Sequence, residues 1–263
     1  MFNIQNDEII YNNNNGVEYI QFKRLLDLNI KHAYTLKGDD LDFSFNSGKE
    51  LQSYEKIFGA LDLKIETLAK PIQTHTDIVR CISAVKTRNE LENVDGLITD
   101  KKDITLATTN GDCILFLFYD PIKKVIANVH SGWKGTFQKI AEKTVVKMIN
   151  YYKCNPKDIL CFICPSIRKC HFEVDNDVKE LCENIFAFTN QTEKFIEKGK
   201  IKDNKQKYMI DTVLINKIIL EEIGIRKANI IDCNICSVCN SEKIASYRVE
   251  GKDFKRATAI ISL

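Results

Sequence analysis

The sequence predicts an α+β protein, with mixed β-sheets flanked by helices in α/β layers and one domain over residues 1–263. Three observations carry this prediction. Strand-like and helical segments interleave without a regular βαβ rhythm. A tight hairpin sits at Asp120-Pro121, between the apolar runs Cys113–Tyr119 and Val125–His130, which demands antiparallel pairing. A hydrophobic content of 44% over 263 residues is ample for a large core.

The elements follow in order. Glu8–Tyr11 and Val17–Phe22, separated by the polar turn Asn12–Gly16, form an opening hairpin. Lys49–Ala60 has helical spacing, with Leu51, Tyr54, Ile57 and Phe58 on one face. Strands are expected at Ile78–Ala84, Gly96–Thr99, Thr105–Thr109, Cys113–Tyr119 and Val125–His130. Thr136–Tyr151 is a helix with Phe137, Ile140, Ala141, Val145 and Met148 as its apolar stripe. Asp158–Cys164 reads as a buried strand. Asp177–Ile185 and Thr212–Ile223 read as helices, the second stopped by Gly224. Ala228–Asp232 and Thr258–Leu263 are late strands, and the lysine-rich Gln191–Lys207 reads as an exposed loop.

Composition excludes several classes of partner. A net charge of +2 points to neither nucleic acid nor an anionic membrane surface. No apolar run reaches the ~18 residues of a membrane span, and Met1–Glu8 lacks a signal-peptide pattern. A cytoplasmic protein is expected, with its ten cysteines as reduced thiols. A monomer or homodimer is expected.

The chemistry concentrates around the central hairpin. If Asp120–Lys123 is its loop, Tyr119 pairs with Lys124 and Cys113 directly faces His130. Such Cβ atoms lie roughly 4.5–5.5 Å apart on one face. A thiol and an imidazole so placed can share a metal or form a nucleophile–base pair. Of the four histidines, His75 lies in the polar break Pro71–Asp77 and is the best candidate for a third ligand. Three protein ligands and an open position is the pattern of a catalytic zinc, which generates a water nucleophile near neutral pH. Asp112 is a candidate to orient that water or a histidine, although neighbours on a strand point to opposite faces. Ser131–Gly135 joins the strand to the next helix. Its glycines admit close backbone approach, the helix start favours anions, and Lys134 adds a positive charge. The segment is neither a P-loop nor a dinucleotide fingerprint. Trp133 reads as core or as a wall for a stacked base.

Two further cysteine groups resemble metal motifs and are discounted. Cys161 and Cys164 lie three apart in one strand and so face opposite ways. Cys233, Cys236 and Cys239 lack a fourth ligand at the ferredoxin spacing, where Lys243 stands.

Several segments together resemble the YfiH-like family, also called the laccase-domain or multicopper polyphenol oxidase family. Gln73-Thr74-His75 resembles its Q-V-H, Asp95–Thr99 its D-G-L-I-T, and Gly111-Asp112-Cys113 its A-D-C. His130–Gly135 resembles H-A-G-W-R-G, and Pro165-Ser166-Ile167 with Phe172-Glu173-Val174 resembles G-P-x-I followed by Y-E-V. Ser246-Tyr247-Arg248 and Arg256 resemble the closing S-x-R and G-R, and Phe45-Asn46 the asparagine of S-L-N. The likeness runs from about His32 to Leu263. It departs at Lys134 for arginine, Gly111 for alanine, Leu115 for proline and Cys164 for glycine. Lysine keeps the charge of arginine but loses its bidentate fork.

The resemblance implies zinc held by His75, Cys113 and His130. It also implies phosphorolysis of adenosine, inosine, guanosine and methylthioadenosine, with adenosine deamination. On this reading Asn46, Gln73, Lys134 and Arg248 are candidates to bind substrate or phosphate, and Asp112 and Glu173 to transfer protons. One alternative keeps the fold and makes Cys113 a nucleophile with His130 as its base, hydrolysing an amide such as a cell-wall precursor. Another is a copper-dependent polyphenol oxidase. One Cys and two His fall short of the several copper centres such chemistry uses.

Overall fold

Ile114–Asp120 forms the strand that its apolar run predicts, and its period of two organises the molecule. Leu115, Leu117 and Tyr119 enter one core, while Ile114, Phe116 and Phe118 enter another. A strand buried on both faces reads as a continuous apolar run. The structure is a computed structural model that describes residues 6–38, 41–45 and 47–263.

With elements numbered in chain order, this strand is β8. It belongs to a six-stranded sheet ordered β14 (Ile230–Asp232), β10 (Leu160–Ile163), β8, β9 (Val125–Ser131), β6 (Gly96–Thr99) and β5 (Val79–Cys81). A second six-stranded sheet runs β1 (Ile9–Asn14), β2 (Val17–Phe22), β3 (Lys31–Thr35), β15 (Ala257–Ser262), β7 (Thr105–Asn110) and β4 (Leu68–Ala69). A small sheet joins β11 (Glu173–Val174), β13 (Lys205–Ile210) and β12 (Ile196–Lys202). Both large sheets are mixed, as predicted: β4–β7, β5–β6 and β10–β14 are parallel within otherwise antiparallel ladders.

The two large sheets pack face to face. Ile20, Tyr34, Leu106 and Ala259 of one share a core with Leu115, Leu117, Ile126 and Phe162 of the other. Truncating Leu117 to alanine in this layer costs about 2–5 kcal/mol, because the void closes only partly. Helix α2 (Glu50–Ala60) covers the outer face of the β1–β4 sheet through Tyr54, Ile57 and Phe58. Helices α4 (Ile140–Tyr152) and α7 (Thr212–Glu222) cover the outer face of the β8 sheet. A fourth core gathers α3 (Trp133–Phe137), α5 (Asn176–Phe186) and the small sheet around Phe186 and Phe195. Among the described residues the remaining α-helices are short: α1 (Lys23–Asp27), α6 (Thr192–Phe195) and α8 (Tyr247–Glu250). Among the described residues no helix is long and apolar enough to cross a membrane.

Three local expectations are corrected. The central hairpin loop is Pro121–Lys124, not Asp120–Lys123: Asp120 pairs with Val125, and its carboxylate Oδ1 accepts the N–H groups of Ile122 and Lys123 at 2.8 and 2.9 Å. His130 therefore faces Leu115, two residues on from Cys113. The helix expected over Thr136–Tyr151 is split into α3 and α4 at Lys139, whose φ of 58° is left-handed. The break lets Phe137 pack with Phe186 while Ile140 packs under the β8 sheet. Gln191–Lys207 is not a loop but α6, β12 and the start of β13, exposed over most of β12.

Candidate metal centre and cavity

The site forms where three strand ends meet. Cys113 immediately precedes β8, His130 is the penultimate residue of β9, and His75 sits in the turn before β5. Asp95 immediately precedes β6, and the β6–β9 register, Gly96 opposite Val129, sets it beside His130. The His130 N–H donates to the Asp95 carbonyl at 2.7 Å, and His130 Nδ1 lies 2.7 Å from Asp95 Oδ1. Nδ1–H bonded to a carboxylate leaves Nε2 free as the ligand nitrogen.

The donor atoms of His75, Cys113 and His130 all lie within 4.8 Å of one another. Cys113 Sγ is 3.8 Å from His75 Nε2, and the two imidazole rings meet edge to face with centroids 4.9 Å apart. Tetrahedral zinc, with Zn–S near 2.3 Å and Zn–N near 2.05 Å, separates S and N by about 3.6 Å. One thiolate and two imidazoles at this spacing therefore fit such an ion. His75 and Asp112 both adopt left-handed backbone, with φ of 64° and 86°. Non-glycine residues hold that conformation only where surrounding contacts enforce it. At His75 those contacts come from Asp95, whose carboxylate accepts the N–H groups of Thr74, His75 and Thr76 at 3.2, 3.1 and 2.8 Å. Gly132 supplies room: a Cβ there would sit 2.7 Å from His75 Cδ2 and 3.4 Å from Cys113 Sγ.

The electrostatics favour a charged pair. Burial pushes the Cys113 thiol up, but the His130 and His75 imidazoles bring it down to about 6. Burial lowers His130, but Cys113 and Asp95 outweigh it and hold the imidazole above its ordinary value. Asp95 is opposed by burial yet held low by His130 and Thr76. Cys113 thus meets a cation, whether imidazolium or metal, as a thiolate.

The trio opens onto a cavity of about 740 Å³, in the range that takes a small-molecule ligand. Trp133, Phe172, Tyr247 and Phe254 give it aromatic walls, and Lys134, Arg248 and Arg256 bring positive charge. Gly111 makes room for one wall, because a Cβ there would meet the Phe254 ring at 2.4 Å.

The other predicted site residues are placed as follows. Lys134 is exposed at the cavity, with Nζ over the Trp133 ring at 5.7 Å. Arg248 lines the cavity, and its backbone N–H donates to Asp112 Oδ2 at 2.7 Å. Asp112 Oδ1 accepts the hydroxyls of Ser237 and Ser246 at 2.6 and 2.7 Å, so both carboxylate oxygens are engaged. Glu173 does not line the cavity; its carboxylate pairs with Lys202 Nζ at 2.7 Å. Gln73 also lies outside the lining, its amide bonded at both ends to the Thr109 backbone at 2.8 Å. Asn46 lies outside the described residues. Trp133 lines the cavity and, partly buried, also packs against the fourth core. Asp95 was not singled out as a site residue. In the sequence it stands only as the first residue of the D-G-L-I-T resemblance, and it is the β6–β9 register that places it beside His130.

Cys161 and Cys164 do face opposite cores. The C-terminal cysteines depart from expectation: Cys236 and Cys239 meet Cys170 and His171, whereas Cys233 is buried beside Arg168.

Fold and site together define a mixed α/β protein with a Cys/His trio at the mouth of a polar-aromatic cavity. The chain belongs to the multi-copper polyphenol oxidoreductase laccase family, whose model matches residues 44–263. The purine nucleoside phosphorylase of Clostridium acetobutylicum is 34% identical over 191 residues, covering 72% of this chain and 74% of that protein. The human purine nucleoside phosphorylase LACC1 is 32% identical over 180 residues, covering 67% of this chain; the match spans only 40% of that longer protein. The crystal structure of the Bacillus licheniformis hypothetical protein YfiH superimposes with a TM-score of 0.85 over 96% of this chain and 98% of that one, at 23% identity. That of YlmD from Geobacillus stearothermophilus gives 0.78 at 19% identity, over 96% of this chain and 98% of that one.

Proposed function

We propose that the protein is a zinc-dependent purine nucleoside phosphorylase that also deaminates adenosine, with residues 1–263 acting as one catalytic domain. The observation that carries this reading is the His75–Cys113–His130 trio at the wall of a cavity that also holds aromatic faces and cations. Relatives named purine nucleoside phosphorylase support the same substrate class. Aromatic walls suit a purine base, and Lys134 and Arg248 suit a phosphate. Adenosine, inosine, guanosine and methylthioadenosine are the nucleosides proposed.

When bound, zinc supplies Lewis acidity and makes water a nucleophile near neutral pH. Asp95 fixes the His130 tautomer and the His75 turn. Asp112 positions Arg248 at the cavity through its backbone. In phosphorolysis a phosphate oxygen bonds to the ribose C1′, and the purine leaves with the glycosidic electron pair and takes up a proton. In deamination water adds to the purine ring and ammonia leaves. The donor set does not favour multi-copper oxidation, because one thiolate and two imidazoles make a single centre.

A second reading has one observation of its own. Cys113, His130 and Asp95 form a thiolate–imidazole–carboxylate series, in which the base is oriented by a third group. Without metal this series equips Cys113 to attack an amide. Chromatography of products from inosine and adenosine, with and without phosphate, tests the first reading. Hypoxanthine is expected from inosine only with phosphate, and inosine from adenosine in either case. No base release and no inosine under any condition overturns the nucleoside reading.

A further inference from the structure

A second constellation of ligating side chains lies outside the cavity. Cys170 and His171 follow β10, and Cys236 and Cys239 follow β14, so segments more than sixty residues apart converge. Cys170 Sγ is 3.6 Å from Cys236 Sγ and 3.9 Å from Cys239 Sγ. His171 Nδ1 is 3.2, 3.6 and 3.5 Å from the sulfurs of Cys170, Cys236 and Cys239. All four donor atoms lie within 4.8 Å of one another. Tetrahedral zinc separates two sulfurs by about 3.8 Å and a sulfur from a nitrogen by about 3.6 Å. The spacings are those of four ligands around one ion, too close for an iron–sulfur cluster.

We propose that Cys170, His171, Cys236 and Cys239 hold one zinc ion in a closed, four-ligand structural site. Three cysteines and one histidine is a known structural zinc set, and four protein ligands leave no open position for chemistry. Cys236-x-x-Cys239 forms a knuckle whose buried sulfur is approached by the backbone N–H groups of Cys239, Arg168 and Val238. Those donors favour its thiolate. As a dication binds, the thiol protons leave to solvent and three thiolates and one imidazole face the ion.

The site would clamp two segments that also frame the cavity. The Ser237 N–H donates to the Ser166 carbonyl at 3.0 Å, and Ser237 Oγ donates to Asp112 at 2.6 Å. Phe172, directly after His171, is a cavity wall. The inference does not rest on zinc at the cavity trio.

The test uses full-length Cys113→Ala protein, in which the cavity trio is broken, loaded with zinc chloride under reducing conditions and dialysed. Elemental analysis is expected to find about one zinc per chain. Adding Cys236→Ser and Cys239→Ser should remove it. A second measurement needs no change in the cluster: iodoacetamide labelling with mass mapping. Cys170, Cys236 and Cys239 should label roughly tenfold or more slowly with zinc bound than after chelation, because a coordinated thiolate is shielded. A metal-free Cys113→Ala protein with Cys170 and Cys239 labelling at the chelated rate overturns the proposal, and so does a Cys170–Cys236 disulfide in its place.

Discussion

Asp95 holds both histidines of the trio through one oxygen. Its Oδ1 lies 2.7 Å from His130 Nδ1 and accepts the His75 backbone N–H at 3.1 Å. Replacing Asp95 by asparagine keeps the size of the side chain and removes its charge, so the His130 tautomer and the His75 turn lose their common anchor. Zinc affinity at the trio should fall about 10–100-fold, the usual cost of losing a partner behind a metal ligand. Competition with a chromogenic chelator, against wild type, reads this directly. Unchanged affinity would mean that Asp95 serves the fold alone.

Gly132→Ala should expel metal from the trio while leaving all three ligands in the chain. Its new methyl would overlap His75 Cδ2 at 2.7 Å, and the exposed His75 is the side that can yield. Zinc content at the trio should drop to the level of Cys113→Ala while circular dichroism stays native. Full zinc retention would show that the turn relaxes around the methyl group.

Lys134→Ala should raise the phosphate KM about tenfold, the loss of one charge-assisted contact. Adenosine deamination, which uses no phosphate, should change far less. The two activities therefore separate in one variant. Equal losses in both would place Lys134 in purine binding, over the Trp133 ring it already covers.

His32 gives an acid limit to stability. The ring is fully buried, accepts the Phe22 N–H at Nε2 (2.7 Å), and has Nδ1 2.8 Å from the Ile30 carbonyl. Burial lowers its pKa from 6.5 to about 4. The folded state keeps a neutral imidazole where the unfolded chain takes up a proton. Stability is complete above pH 6.5 and declines as pH falls towards 4, by about 3 kcal/mol in all. Urea midpoints across that window should fall with pH in wild type, and His32→Gln should remove most of the slope. An equal slope in both proteins would assign the loss to other groups.

Much of this was legible in the residues. The β8–β9 hairpin is legible in Asp120-Pro121 between two apolar runs, but its register is not, because Asp120 serves both as a strand residue and as the acceptor that closes the turn. The slip is two residues, and an even slip preserves the face. Cys113 and His130 therefore still meet, diagonally rather than directly opposed. Asp95 and the Cys170–His171 pair were not legible, because their roles depend on contacts that topology alone creates. A sheet neighbour brings Asp95 to His130, and two crossing loops bring His171 to a knuckle 65 residues further on. The split at Lys139 was hidden for a similar reason: one apolar stripe feeds two separate cores.

The most direct test is hypoxanthine release from inosine and phosphate by protein stripped with a chelator and titrated back with zinc chloride. The stripped protein should be inactive, and activity should return in wild type as zinc fills the trio, but not in Cys113→Ala at any zinc concentration. Full release by the stripped protein, or equal recovery in Cys113→Ala, would contradict a zinc-dependent phosphorylase built on His75, Cys113 and His130.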